Sequence, residues 1–152
     1  MAFGFVSASV GFIKLISGGH AGFVPVPHAR DTLTQRTAVL MPVHNEPVEQ
    51  TFARIEAMLH SLDAAGGGQA FDFFILSDSS ELHGRMEEQA WARLAGASRV
   101  RLYYRRRAKN LGRKPGNIAD WVRRFGAAYA HMIVLDADSM MSGKAMIGLA
   151  SI

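Results

Sequence analysis

The sequence predicts an α/β fold with a mostly parallel sheet and flanking helices, and three observations lead to this class. The chain has 152 residues, of which 49% are hydrophobic, which is enough for a real core. Four short apolar runs have the character of strands that are covered on both faces. Between these runs, apolar residues recur at spacings of three and four, as they do on one face of a helix, so strand alternates with helix.

The four predicted strands are residues 37–43, 71–76, 100–104 and 132–135 (TAVLMPV, FDFFIL, VRLYY and MIVL). Parallel strands require right-handed crossovers, and a sheet order of 3-2-1-4 places the first and fourth strands on either side of the point where strand order reverses. Ligands bind beyond the carboxyl ends of the strands at such a point. The polar residues that follow these two strands are therefore expected to face one crevice.

Three helices are predicted between the strands. Pro47 suits the first helical position of helix one, and Pro115 marks the start of helix three. Helix two is expected over residues 82–94, with Met86, Ala90 and Leu94 on its apolar face. The apolar positions of the other two helices are Val48, Phe52, Ile55, Leu59 and Leu62, and then Ile118, Trp121, Val122 and Phe125.

The first 34 residues have a different composition. Residues 1–17 are strongly apolar, but the run is shorter than the roughly 20 residues that cross a bilayer, and Lys14 interrupts it. It also lacks the basic start and the cleavage site of a secretory signal. A core or interfacial helix and the last turns of a membrane helix are both compatible with it, and we expect the second. Residues 18–34, rich in Gly, Pro and His, predict a linker, and residues 35–152 the folded part.

The charge is unevenly distributed. The net charge is +4, yet nine of the 17 Lys and Arg residues lie between Arg101 and Arg124, where Asp120 is the only acid. A basic cluster this local predicts an anionic partner. The chain has no cysteine, which excludes disulfides and thiolate metal sites.

The fourth predicted strand runs directly into two carboxylates, in MIVLDADSM. Asp136 and Asp138 project to the same side of the strand end, and burying a carboxylate without a partner is costly. Two hard oxygen ligands suit Mg²⁺ or Mn²⁺. The alternative is a solvated turn in which Asp138 and Ser139 cap the following helix.

Four motifs, LMPVHNEP, ILSDSSE, RRRAKNLGRKPGN and VLDADS, occur in this order over residues 35–149. They resemble the family 2 glycosyltransferases of the GT-A fold, and among these the glucans biosynthesis glucosyltransferase H family. The resemblance implies a Rossmann-like donor-binding half of a GT-A domain, incomplete at its C-terminus. It also implies transfer of glucose from UDP-glucose to a growing β-glucan acceptor, on the cytoplasmic side of the bacterial inner membrane.

The resemblance also assigns roles to single residues. Glu46 matches the acid that contacts the uridine, and Asp78 the aspartate that binds the nucleotide base. Lys114, at the start of the third helix, would face the donor diphosphate, and Asn117 in the same motif is assigned to the nucleotide-sugar site. Asp138 is the firmer metal ligand and Asp136 contacts the sugar or the metal.

Three polar neighbours of these residues have simpler explanations. Asn45 is either an N-cap or a ligand contact, and His44 is a polar loop residue. Ser79 stands where the family often has a second acid, and it is expected, with Ser80, to cap helix two.

No catalytic residue is expected within the chain itself. An inverting transfer needs a general base near the acceptor hydroxyl, and the resembling family supplies it from a later acidic motif. The general base is therefore expected beyond Ile152, the last residue of the sequence. The fragment alone is expected to be inactive.

Other functions are compatible with parts of the sequence. The nearest is another processive membrane synthase of the cellulose type, and one from a different class is a Mg²⁺-binding receiver-like signalling module. Nucleic acid is not expected as a partner, because few aromatic residues are interleaved with the basic cluster. Arg105, Arg106 and Arg107 are interpreted as a solvated or membrane-lipid-facing patch.

Overall fold

The structure is a computed structural model that describes residues 35–151. The predictions for the apolar segment (residues 1–17) and for the linker (residues 18–34) therefore lie outside the described residues, and so does Ile152. The elements, in chain order, are β1 (Thr37–Val43), α1 (Val48–Ala64), β2 (Phe71–Ser77), α2 (Glu81–Ala97), β3 (Arg101–Arg106), α3 (Arg113–Phe125), a short 3-10 turn (Gly126–Ala128), β4 (His131–Val134) and α4 (Gly143–Ala150).

The four strands form one parallel sheet in the order β3-β2-β1-β4, which confirms the predicted class and order. The central strand β1 is buried along its whole length, as its continuous apolar sequence predicts. Because all four strands run the same way, their carboxyl ends meet at one edge of the sheet. That edge carries the polar loops.

Helices cover both faces of the sheet, so there are two apolar clusters. On one face, residues of α1, α2 and α4 form one apolar cluster with alternate β1 side chains, including Val39 and Met41. On the other face, α3 contributes Trp121, which packs against Ala38 and Leu40. The alternation along β1 fixes this division, since successive side chains of a strand point to opposite faces.

Several details of the helices differ from the sequence predictions. Pro47 is the N-cap of α1, and its carbonyl oxygen accepts the Thr51 N–H at 3.0 Å. Helix α3 begins two residues before Pro115, because Gly112 adopts a left-handed conformation with φ of 68° and the proline fits within the first turn.

The predicted apolar faces of α2 and α3 were also partly wrong. Met86 is 49% exposed, and Glu87 takes the inward position beside Ala90 because hydroxyl groups bind its carboxylate. On α3, Val122 and Phe125 are each 43% exposed, and the described elements leave that side of the helix partly uncovered. Among residues 35–151, no helix has the length and apolar character to cross a bilayer.

Candidate functional site

The carboxyl ends of β1, β2 and β4, together with the start of α3, line a cavity of about 750 Å³. Five of the six predicted site residues contribute to it: Glu46, Asp78, Lys114, Asp136 and Asp138. Asn110 and Arg113 join them. The cavity therefore combines four carboxylates with two cationic side chains, at the place where the strand order reverses.

The residues that follow β4 point alternately into the core and into the cavity. Ala137 is buried, while Asp136 and Asp138 on either side of it are exposed to the cavity. Asp136 accepts a hydrogen bond from Lys114 Nζ. The N-cap of α4 is Ser142, whose hydroxyl accepts the Ala145 N–H at 3.2 Å. The capping alternative for Asp138 is therefore wrong.

Two carboxylates are the protein ligands that this site offers to a divalent cation. Within residues 35–151, no cluster of three or more acidic or histidine side chains is arranged around a common point. A cation held by Asp136 and Asp138 would complete its coordination with water or with ligand oxygens. Mg²⁺ characteristically binds in this way, through one or two carboxylates and substrate phosphates. The donor set fits such an ion.

Asp78 is buried at the end of β2 and paired with Arg107. Arg107 Nε and Nη2 donate to the two carboxylate oxygens, each at 2.7 Å. The Asp78 side chain is 4% exposed and the Arg107 side chain 13%. The hydrogen bonds that Arg107 donates to Asp78 raise the pKa of its guanidinium. The same guanidinium donates to the carbonyl oxygens of Leu111 and Arg113, at 3.1 and 3.3 Å. It therefore links Asp78 to the loop that carries the cavity cations.

The loops after β1 and β2 are hydrogen-bonded to each other. His44 Nδ1 bonds the Asp78 carbonyl oxygen at 2.8 Å, and the Asn45 N–H donates to Ser79 Oγ at 2.8 Å. The Ser80 N–H donates to Asn45 Oδ1 at 2.9 Å. Asn45 is thus not an N-cap, and neither is Ser79. Ser80 is the N-cap of α2, as predicted.

Asn117 is the predicted site residue that the structure does not bring to the cavity. It is fully buried, and its Nδ2 donates to the Leu76 carbonyl oxygen at 3.1 Å. Its Oδ1 accepts from Arg105. Asn117 therefore joins α3 to β2 and β3. The residue that reaches the cavity in its place is Arg113, which stands next to Lys114 in the basic motif.

The general base is expected beyond Ile152, and the structure does not test this prediction. The described residues end at Ser151, directly after α4, so Ile152 lies outside them. The structure therefore assigns no role to Ile152, and the location of the base stays a prediction.

The three consecutive arginines do not form one solvated patch, so that interpretation was wrong. Arg105 donates to Asp120 at 2.6 Å and Arg107 binds Asp78, while Arg106 is exposed and lies along Gly84. Exposed cations do form a groove of about 680 Å³ outside the cavity. It includes Arg106, Lys109, Arg123 and Arg124.

The fold and the cavity define a class, the parallel α/β units that bind ligands at a topological switch point. The chain is similar to proteins named glucans biosynthesis glucosyltransferase H. The relative from Bradyrhizobium diazoefficiens is 46% identical over 98% of this chain and 20% of its own length. Those from Caulobacter vibrioides and Vibrio cholerae are 44% and 45% identical, over 96% and 99% of this chain and 22% and 20% of theirs.

These identities confirm the resemblance that the four motifs indicate: along nearly its whole length, the chain is homologous to a part of glucans biosynthesis glucosyltransferase H. The chain spans about a fifth of the length of the curated relatives it matches. No protein-family model matches it.

Proposed function

We propose that the cavity binds UDP-glucose, and that the chain is the donor-binding part of a GT-A membrane glucosyltransferase that extends a β-glucan. The observation that carries the proposal is the meeting of Glu46, Asp78, Lys114, Asp136 and Asp138 in one cavity. These residues come from four separate elements. The name of the relatives supports both the transfer of glucose and a glucan product.

The nucleoside would occupy the end of the cavity formed by the loops after β1 and β2. Asp78 keeps lone pairs beyond those that Arg107 uses, and it can accept from the uracil edge or the ribose. Glu46, which is exposed at the same end, can accept from the uridine. Neither side chain is a donor when ionised, so both select for ligand N–H and O–H groups.

The diphosphate would lie between the start of α3 and the end of β4. Arg113 and Lys114 occupy the first turn of α3, where free backbone N–H groups and the helix dipole also favour an anion. Asp136 and Asp138 face them across the cavity and would hold Mg²⁺ or Mn²⁺. The cation would supply Lewis-acid stabilisation of the charge that develops on the departing UDP.

The chain alone is expected to bind this donor without transferring glucose. Its four cavity carboxylates are all assigned to the donor or the cation, which leaves none to deprotonate an acceptor hydroxyl. The place of action would be the cytoplasmic side of the inner membrane. There the groove with Arg106, Lys109, Arg123 and Arg124 could contact anionic lipid headgroups.

Calorimetric titration of UDP into the 152-residue chain, with and without Mn²⁺, tests the proposal. We expect binding that strengthens with Mn²⁺, and loss of the Mn²⁺ effect in Asp138→Asn. Asp63→Asn is the matched control, because Asp63 lies at the opposite end of α1 and, among residues 35–151, forms an ion pair with Arg99 alone, at 3.9 Å. Absence of UDP binding in the wild-type chain would contradict the proposal. Phosphorylation by a small phosphodonor without UDP affinity would favour the receiver-like alternative.

A further inference from the structure

Glu87 is a buried acid on α2 that the proposed function does not use. It is 2% exposed, and three hydroxyl groups donate to its carboxylate. Ser77 and Ser79 donate at 2.6 Å, to Oε2 and Oε1 respectively, and Tyr104 donates to Oε2 at 2.9 Å. Within residues 35–151, none of the ion pairs includes Glu87. Three donors on two oxygens satisfy the hydrogen-bonding needs of this buried carboxyl group.

The two serines that Glu87 binds stand on either side of Asp78. Successive side chains of an extended segment point to opposite sides. Holding both serine hydroxyls against α2 therefore directs the intervening Asp78 side chain away from α2, towards Arg107 and the cavity. The Ser79 N–H also donates to Ser77 Oγ at 3.2 Å, which closes the turn.

Ser79 also connects Glu87 to the loop after β1. Its hydroxyl donates to Glu87 and accepts the Asn45 N–H at 2.8 Å. Asn45 has a φ of 56°, an uncommon left-handed conformation that persists where the surroundings fix it. The next residue is Glu46. One hydroxyl thus links the buried acid to the loop that carries the second nucleoside-contacting residue.

We infer that Glu87 is a positioning residue for the nucleoside end of the cavity. Through Ser77 and Ser79 it holds Asp78, and through Ser79 and Asn45 it holds Glu46, in the geometry that a nucleoside needs. The inference rests on the proposed function. Asp136, Asp138 and Lys114 share no hydrogen bond with Glu87 or the serines. The network reaches the cation end indirectly, through Asp78 and the hydrogen bonds of Arg107 to the Leu111 and Arg113 carbonyl oxygens, so substitutions in it should act first on the nucleoside end.

Because the nucleoside and the cation would bind at different ends of the cavity, their affinities can be compared in each variant. A general loss of stability would lower both affinities, whereas loss of positioning should lower the nucleotide affinity alone. Uridine 5′-monophosphate is titrated by calorimetry, and Mn²⁺ by electron paramagnetic resonance, into the wild-type chain, Glu87→Gln and Ser79→Ala. Both variants are expected to lose on the order of 10-fold in affinity for the nucleotide and to keep the wild-type affinity for Mn²⁺. Glu88→Gln makes the same change at the next, exposed position of α2 and is expected to match the wild type.

Tyr104→Phe separates positioning from packing. It removes a donor to Glu87 from the β3 side and leaves the hydrogen bonds of Ser79 to Glu87 and Asn45 in place, so we expect a lower melting temperature with unchanged nucleotide affinity. Wild-type nucleotide affinity in both Glu87→Gln and Ser79→Ala would overturn the inference. The inference would also be overturned if Glu87→Gln, Ser79→Ala and Tyr104→Phe all lost affinity for the nucleotide and for Mn²⁺ to the same extent. A wild-type chain that binds no uridine nucleotide would instead overturn the proposed function itself.

Discussion

Arg107 binds Asp78 through two parallel N–H donors, Nε to Oδ1 and Nη2 to Oδ2, each at 2.7 Å. The pair is almost fully withdrawn from solvent, and it joins the end of β2 to the chain that follows β3. The Asp78 carboxylate is therefore held in one orientation by the protein itself. The basic loop up to Arg113 is fixed to the same guanidinium.

Breaking this pair is expected to destabilise the fold strongly. Arg107→Gln should lower the free energy of unfolding by about 3 kcal/mol, because it leaves the Asp78 carboxylate buried without its cation. Urea-induced unfolding at neutral pH measures the change. Arg106→Gln is the control, since Arg106 is exposed and should change stability by no more than about 0.5 kcal/mol. Equal effects of the two substitutions would contradict the role given to Arg107.

The tight turn before α3 predicts a second effect. A Cβ on Gly116 would lie 2.1 Å from the Leu111 carbonyl oxygen, so Gly116→Ala must displace the loop that presents Arg113 and Lys114. We expect a stability loss of about 1–3 kcal/mol and weaker UDP binding, by urea unfolding and calorimetry. Gly96→Ala, on α2 with no atom within 4 Å of its added Cβ, should instead gain up to about 1 kcal/mol. Similar behaviour of both variants would argue against the steric explanation.

Lys114 and Asp136 form an ion pair across the cavity, and this predicts opposite effects on two ligands. Lys114→Gln frees the Asp136 carboxylate, so Mn²⁺ alone should bind a few-fold more tightly, consistent with an exposed pair worth up to about 1 kcal/mol. UDP should bind more weakly, because a diphosphate contact is lost. Lys109→Gln removes a cation from the outer groove and should change neither affinity. Parallel changes for Mn²⁺ and UDP in Lys114→Gln would refute the arrangement.

The loss of stability at low pH is expected to depend on Asp120. Burial raises the pKa of this carboxyl, but hydrogen bonds from Arg124 and Arg105 and their charges outweigh burial and hold it below its ordinary value of 3.8. A depressed pKa contributes stability that is fully present above 3.8 and is lost as the pH falls through the lower folded-state value. Asp120→Asn should therefore melt below the wild type near neutral pH. The gap should close in strong acid, and a gap independent of pH would contradict this.

The sheet and most of the cavity could be predicted from sequence because both follow from simple rules. Continuous apolar runs indicate buried parallel strands, and parallel strands bring their final residues to one edge, so Asp78, Asp136 and Glu46 had to lie close together. The pairing of Asp78 with Arg107 could not be predicted. It depends on the register of β2 against β3, in which Ser77 lies opposite Arg106.

The burial of Glu87 and Asn117 could not be predicted for a related reason. Helical spacing tells which positions face inward only when apolar residues mark them. Each of these two polar side chains is buried because a neighbouring element supplies its partners, the serines after β2 in one case and Arg105 and Leu76 in the other. Such partners are distant in sequence, so no local pattern reveals them.

The central claim is that a divalent cation is held between Asp136 and Asp138, beside the diphosphate of a bound uridine nucleotide. Substoichiometric Mn²⁺, added to the ¹⁵N-labelled chain in the presence of UDP, tests it most directly through paramagnetic line broadening. We predict broadening of the amides of residues 136–139 and of Lys114, and its disappearance in Asp138→Asn. Broadening that is centred elsewhere, or that Asp138→Asn leaves unchanged, would contradict the claim.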